Sequence, residues 1–423
     1  MDGSQIQVEC GCDDLAGEQS LLGHIDARAI ALGLVQPIED SETIPLALAC
    51  GRYTAQTLCA LHAMPFFDNA AMDGFALRLS DLGDRCCLPV AGTVAAGEAQ
   101  RSLPEGAALR IYTGAPLPDG ADTVVMIEDC IDKHNKVHIN HVPRQGTNIR
   151  HAGSGQARGQ SLITARTRLA PHHIGLLAAN GLAQVDVVRR PRVAVFSTGD
   201  ELTEGVLKPG QIPDANRPML CALLVQSGAE VHDLGILSDD PDATETAFRA
   251  LDRTYDLVVT SGAVSMGGKD HIRAAVIAVG GKIDAWRVAL KPGKPVVLGM
   301  LGCAAFTGLP GNPFAVHVGF QMFIAPQIAR LAGAEPKSFA QQIAVADFAW
   351  QRKPGRTEVF AVCTTGHDAS GLPMLERLGQ GVSATLLPLS RADGLAIVSA
   401  DTDTVSQGDT LQWHPFSRSG ESI

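Results

Sequence analysis

The sequence predicts a multidomain α/β protein centred on a layered α/β unit with a parallel sheet, accompanied by β-rich regions. Three observations carry that expectation. Apolar strand-length runs alternate with helix-length patterns over 190–330, as in right-handed crossover units. Short β-like runs broken by Gly and Pro fill 60–145, and similar runs return beyond 340. The chain has 423 residues, room for about two to four domains. Its 44 glycines and 24 prolines, with only 4% aromatics, suit turn-rich β structure and many backbone loops.

The elements follow in order. Residues 1–19 read as a polar tail; its Cys10 and Cys12 read as part of that tail more readily than as a metal site. From Ser20, a candidate cap, apolar residues recur at helical spacing through Leu32. Runs 88–93, 108–112, 123–128 and 137–139 read as strands of a small β region. The stretch 169–181 reads as a helix with Pro171 in its first turn and Gly181 just past its end. Strands are expected at 192–197, 230–236 and 256–260, and helices at 217–227, 243–254 and 271–279. Between Lys294 and Arg330 no Asp, Glu, Lys or Arg occurs, but GLPGNP (308–313) would break a spanning helix. Each half therefore reads as a buried strand or core helix. Strands at 343–347, 358–362 and 394–399 complete a C-terminal β region.

The formal charge of −11 argues against a general nucleic-acid coat, although a local basic pocket for a small anion remains open. Ten cysteines in so long a chain do not make a disulfide scaffold, which points to a reducing compartment. The N-terminal run lacks the basic-then-apolar layout of a signal peptide. Together these give a cytoplasmic protein that binds neither membrane nor nucleic acid.

In an open α/β sheet, ligands bind beyond the carboxyl ends of the strands. Those ends carry STGDEL (197–202), SDDP (238–241) and SGAVSMGGKD (261–270). Glu201, Asp239 and Asp270 on one rim could hold Mg²⁺, a hard cation that prefers oxygen ligands. Each acid taken singly also reads as a helix cap. Gly262, Ser265 and Gly267 offer backbone amides for an anion. Two prolines and a glycine stiffen LKPGKP (290–295), which presents Lys291 and Lys294, with Arg287 just before, to a polyanion. A solvated turn is the plainer alternative. Pro310, Gly311 and Pro313 open a further helix, with Asn312 as its cap. Elsewhere, Asp68, Asn69 and Asp73 stand among small and apolar residues, and Thr113 lies at a strand end with its hydroxyl free.

Together these segments resemble the molybdopterin molybdenumtransferase family, the MoeA and gephyrin E-domain proteins. The matching runs, in family order, are PFFDNAAMDGFA (65–76), RIYTGAPLPDGADTVVMIED (110–129), GTNIRHAG (146–153), PRVAVFSTGDEL (191–202), GQIPDANR (210–217), SGAVSMGGKD (261–270), ALKPGKP (289–295), GLPGNP (308–313) and RKPGR (352–356). The resemblance implies a helical linker domain (20–58 plus 146–185), an inserted β domain (59–145), a three-layer α/β/α molybdopterin-binding domain (186–330) and a C-terminal β domain (331–423). It implies an elongated homodimer, with the cleft between the α/β domain of one subunit and the inserted domain of the other.

The implied reaction is insertion of molybdate into adenylated molybdopterin with loss of AMP, assisted by Mg²⁺. The implied functional positions are Asp73, Thr113, Glu201, Asp239, Asp270, Lys291, Pro310, Pro313 and Arg356. Candidate protein partners are molybdopterin adenylyltransferase and acceptor molybdoenzymes. The sequence departs from the family pattern at Ser154-Gly155, Ala263, Arg287 and Leu387-Pro388. Two other readings stay open: a molybdopterin adenylyltransferase, because fold alone does not fix chemistry, and a non-catalytic molybdopterin-binding scaffold.

Overall fold

A computed structural model of the chain describes residues 21–84, 86–251, 254–264, 271–340, 342–379 and 386–416. The chain divides into two compact units, one of 41–187 and one of the residues on either side of it.

The 41–187 unit holds a six-stranded sheet in the order Thr123–Met126, Gly74–Leu77, Ala108–Ile111, Cys87–Val94, Lys136–Ile139, Cys130–Lys133. The four expected strands are present. The run 123–128 ends early as strand, because Ile127–Asp129 turns in a 3-10 helix. Side chains alternate across the sheet. Phe75, Leu77, Leu88 and Val125 fill one core, while Ala76, Leu109, Ile111 and Val124 fill another. The helix Pro171–Ala179 starts on proline and ends before Gly181, whose φ of +79° continues no helix. It buries Leu177 against Leu46, Leu58, Leu169 and Val185, worth about 2 kcal/mol for that side chain.

The second unit contains the central sheet. Its strands run Glu230–Leu237, Arg192–Thr198, Leu257–Ser261, Ala304–Leu309, Val297–Leu301, Lys282–Trp286. The first four are parallel, as the sequence implied; Val297–Leu301 runs antiparallel to both its neighbours, so Lys282–Trp286 again points with the first four. Only two residues join Val297–Leu301 to Ala304–Leu309, and so short a link can only reverse the chain. Helices cover both faces. Phe248 of Pro241–Ala250 and Ile272 and Val276 of Ile272–Ala278 pack on Phe196, Val258 and Phe306. Thr307 points the other way and bonds Gln327, whose amide donates to Ala31 O at 3.0 Å. Gln327 lies in one continuous helical run, Pro313–Gly319, a π turn Phe320–Ile324 and Ala325–Leu331. Ala31 belongs to the helix His24–Gly33, which starts four residues after the expected Ser20 and has no side-chain cap; Ser20 lies outside the described residues. The uncharged stretch thus becomes two strands and a core helix. Among the described residues no helix is long and apolar enough to cross a membrane.

The C-terminal strands are Gln342–Ala346, Thr357–His367, Pro373–Arg377, Gly394–Val398 and Thr410–Pro415. Each pairs with two others, so the sheet closes on itself as a small barrel around Phe360, Val362, Leu375, Ala396 and Trp413. Closure removes exposed edges. One further strand, Leu290–Lys291, adds in parallel beside Thr357–His367 and sets Lys291 opposite Glu358.

Candidate active site

The chain leaves Arg192–Thr198 toward Glu230–Leu237 and returns on its other side as Leu257–Ser261. This is a topological switch point, where an open sheet leaves a crevice for ligands. The loops at the crevice are tied together. Thr198 Oγ1 donates to Ser261 O at 3.2 Å, and Gly262 N donates to Leu309 O at 2.9 Å. Gly262 is required there. Its φ is +96°, and a Cβ would lie 2.4 Å from Thr198 O. The next residue, Ala263, adopts φ +47° without being glycine, so the departure noted at this position places an L side chain in the left-handed region.

Glu201 is exposed at the rim, its carboxylate folded back over Gly199. The link to the second strand's loop comes from its neighbour: Asp239 N donates to Asp200 Oδ1 at 3.0 Å. Of the two aspartates in SDDP, Asp240 is the helix cap, accepting from Asp242 N at 2.9 Å and Ala243 N at 3.4 Å. Asp239 is not engaged in that cap. Pro310 is buried and Gly311 exposed. Gly311 O accepts from Asn216 Nδ2 at 2.7 Å. Asn312 occupies the cap position before Pro313, but without a side-chain cap bond.

The lysine loop is anchored by its neighbours. Lys291 Nζ lies 3.4 Å from Glu358 Oε1, so this cation is paired within the fold while its side chain stays 45% exposed. Glu358 is buried at 3% and also meets Arg352 Nε at 3.3 Å. Arg352 further donates to Ser399 O at 2.9 Å and to Arg356 O. The Arg356 backbone is thereby fixed beside the same network. Lys294 makes no ion pair with a described residue, and its carbonyl accepts from Val288 N at 2.9 Å. Arg287 stacks on the preceding Trp286 ring, Cζ to centroid 4.5 Å.

In the 41–187 unit the structure brings Asp73 and Thr113 together. Asp73 Oδ1 accepts from both Thr113 N and Thr113 Oγ1 at 2.7 Å, and both residues are exposed. The Thr113 N–H and then its hydroxyl hold the Asp73 carboxyl below the ordinary carboxylate range. The Thr113 hydroxyl is therefore engaged, not free. Gly74 serves close approach more than a bend, since a Cβ there would lie 1.8 Å from Val125 O. Asp68 has a separate role: it accepts from Ala152 N at 2.7 Å and pairs with His151 at 3.0 Å, beside a cavity of about 360 Å³.

Ser265, Gly267 and Asp270 lie outside the described residues. Among the described residues no group of three or more His, Cys, Asp or Glu is gathered as for a metal. The rim's donors are nonetheless carboxylate oxygens on exposed loops, which suits a hard cation.

Sequence reasoning missed the support behind the rim. Ser197 donates to Asp214, whose Oδ1 accepts from Asn216 N at 3.1 Å and Arg217 N at 3.2 Å. Arg217 is 5% exposed and pairs with Asp214 at 3.1 Å, and with Asp233 and Glu204. The run GQIPDANR contained Asp214, Asn216 and Arg217, but only tertiary structure shows that the Asp214 and Arg217 charges are buried together.

Comparisons with known proteins match the chain in three consecutive segments. The family model described as MoeA N-terminal region (domain I and II) matches residues 24–181. Probable molybdopterin binding domain matches 194–330, and MoeA C-terminal region (domain IV) matches 344–416. The chain is 35% identical over 384 residues to the molybdopterin molybdenumtransferase of Haemophilus influenzae, covering 89% of this chain and 94% of that protein. It is 32% identical over 387 residues to the protein of that name in Bacillus subtilis, covering 88% and 89%. A solved structure of the molybdopterin biosynthesis MoeA protein from Pyrococcus horikosii is similar with a TM-score of 0.78 at 27% identity, over 94% of this chain and 100% of that one.

Proposed function

We propose that this chain, which belongs to the molybdopterin molybdenumtransferase family, inserts molybdate into adenylated molybdopterin and releases AMP. The observation that carries the reading is the switch-point crevice itself. Loops from three parallel strands meet there through Thr198, Gly262 and Leu309, bearing carboxylates and glycine-rich backbone.

The chemistry divides among the chain's own residues. Lys291, held half-exposed by Glu358, and Lys294 offset the phosphate charge redistributed as the phosphoanhydride breaks. Arg356 and Arg287 anchor oxyanions, and guanidinium groups suit that task because their paired donors match two oxygens. Gly262 and Gly311 lie side by side without side chains, which lets phosphate oxygens approach the backbone closely, and Pro310 stiffens the turn. Asp73, kept ionised by Thr113, accepts a hydrogen bond or a proton from substrate. Glu201, Asp239 and Asp270 are the carboxylates that would hold Mg²⁺. When bound, that cation supplies positive charge to the phosphate oxygens.

The same proposal includes a homodimer, with molybdopterin adenylyltransferase as supplier and molybdoenzymes as acceptors. It places the reaction in the cytoplasm, which the eight free cysteines among the described residues support. Light scattering at twice the mass of one chain tests the dimer.

One assay separates the activities. Purified protein receives adenylated molybdopterin, Mg²⁺ and molybdate. Molybdate-dependent AMP release is expected. ATP consumption with unadenylated molybdopterin would instead indicate an adenylyltransferase, and binding without either would indicate a scaffold. Asp270→Asn is expected nearly to abolish AMP release with the fold intact; unchanged turnover removes Asp270 from the mechanism.

A further inference from the structure

The cavity beside Asp68 lies within the 41–187 unit, and none of its lining side chains takes part in the chemistry proposed above. Its volume of about 360 Å³ is at the lower end for small-ligand sites. Leu117 and Ile149 are apolar walls, and Asp68, Asp122, Gln145 and His151 supply the polar side chains.

The polarity of those groups is one-sided. Asp68 is held below the ordinary carboxylate range, first by Ala152 N and then by His151, so it accepts and does not donate. Its Oδ2 lies 3.0 Å from His151 Nδ1, which is therefore the donor. The neutral imidazole is left with Nε2 as an acceptor, on a side chain that is 61% exposed. Asp122 Oδ1 accepts from Leu79 N at 3.0 Å, and its Oδ2 accepts from Gln145 Nε2 at 3.3 Å. The Gln145 amide thus gives an N–H to Asp122 and keeps its oxygen as an acceptor. Two carboxyl groups, an imidazole nitrogen and an amide oxygen therefore line one small space with apolar walls. Such a lining disfavours phosphate or molybdate and matches a ligand whose edge carries N–H groups. A metal ion matches less well, since among the described residues no three His, Cys, Asp or Glu are gathered to hold one.

We propose that this cavity binds the N–H edge of a flat, amino-substituted heterocycle. Two molecules in the proposed reaction carry that chemistry: the pterin, whose aminopyrimidinone edge sets two N–H donors side by side, and the adenine of the nucleotide, with one amino group. The choice between them rests on the proposed function. Two adjacent donors fit an acceptor lining better than one, so the pterin binds more tightly.

The test uses the full chain at pH 7 and equilibrium dialysis of two probes without phosphate: a pterin lacking its dithiolene side chain, and adenosine. Pterin binding tighter than adenosine assigns the cavity to the pterin, and the reverse order assigns it to adenine. Binding of neither overturns the proposal. Gln145 is exposed, so Gln145→Lys is expected to fold as wild type does. Its ammonium would compete for the Asp122 carboxylate, and heterocycle binding is expected to weaken at least tenfold. Asp68→Asn, which puts an NH₂ donor among the acceptors, is expected to act in the same direction. Heterocycle binding within twofold of wild type in Gln145→Lys overturns the proposal.

A second readout needs no variant. Sodium phosphate in tenfold excess is expected to leave heterocycle binding unchanged, and competition by phosphate overturns the proposal. AMP release by the wild type is measured in the same preparations. Heterocycle binding that Gln145→Lys weakens, without AMP release, sinks the function and leaves this cavity standing. AMP release with neither probe bound sinks this cavity alone.

Discussion

His317 lies in the helical run after Pro313, 8% exposed, against the ring of Phe416 with centroids 5.5 Å apart. Its Nε2 is buried with no hydrogen-bond partner among the described residues. Burial, and secondarily the nearby His414, push the His317 pKa from 6.5 down to about 4. Unfolded, this imidazole takes a proton as pH falls below 6.5; folded, it resists until about pH 4. The unfolded state therefore binds more protons in that window, and stability falls as pH falls through it. At 1.36 kcal/mol per decade the full loss is about 3 kcal/mol. His414, stacked on Phe339 and also lowered chiefly by burial, acts in the same direction.

The perturbation is His317→Leu, which keeps the volume and removes the titration. Urea unfolding of wild type and variant is compared at pH 7.5 and pH 4.5. Carboxylates titrate in both proteins, so the difference between the two pH slopes isolates the histidine. The wild type is expected to lose roughly 2–3 kcal/mol more than the variant on acidification. Parallel losses would refute the reasoning.

Substitutions at four further positions test the site. Thr113→Val removes one of the two bonds to Asp73; the Asp73 carboxyl is expected to titrate nearer its ordinary value by NMR, and AMP release to fall at least tenfold. Thr113→Ser should retain both properties. Gly262→Ala drives a Cβ toward Thr198 O at positive φ and is expected to cost about 2 kcal/mol or more in unfolding. Ala263→Gly has the opposite sign, a gain of about 0.5–1 kcal/mol, because a left-handed alanine is relieved. Glu358→Gln strips the charge shared by Lys291 and Arg352 and is expected to destabilise by about 3–5 kcal/mol; an unchanged melt would show the buried pair to be inert.

The alternating helix and strand periods between 192 and 331 made the central unit legible, because each crossover carries its own hydrophobic pattern. The reversal at Gly302 was hidden inside one long apolar run, where a buried strand pair and a helix look alike. Individual site residues were visible as residue types at strand ends, but their partners were not. Asp73 and Thr113 are forty positions apart, and Lys291 meets Glu358 only because a two-residue strand joins the C-terminal barrel. The assignment of Asp240 as cap and Asp239 as rim residue needed the helix start at Pro241. The buried Asp214–Arg217 network left no periodic signal, since long-range pairing of charges follows from tertiary packing.

The most direct measurement counts molybdenum against nucleotide. In a single turnover with stoichiometric adenylated molybdopterin, Mg²⁺ and molybdate, pterin-bound molybdenum and free AMP are quantified from one quenched sample. Equal amounts, rising together and only when molybdate is present, are the expected result. AMP that appears at the same rate without molybdate, or with no metal gained by the pterin, would contradict the account.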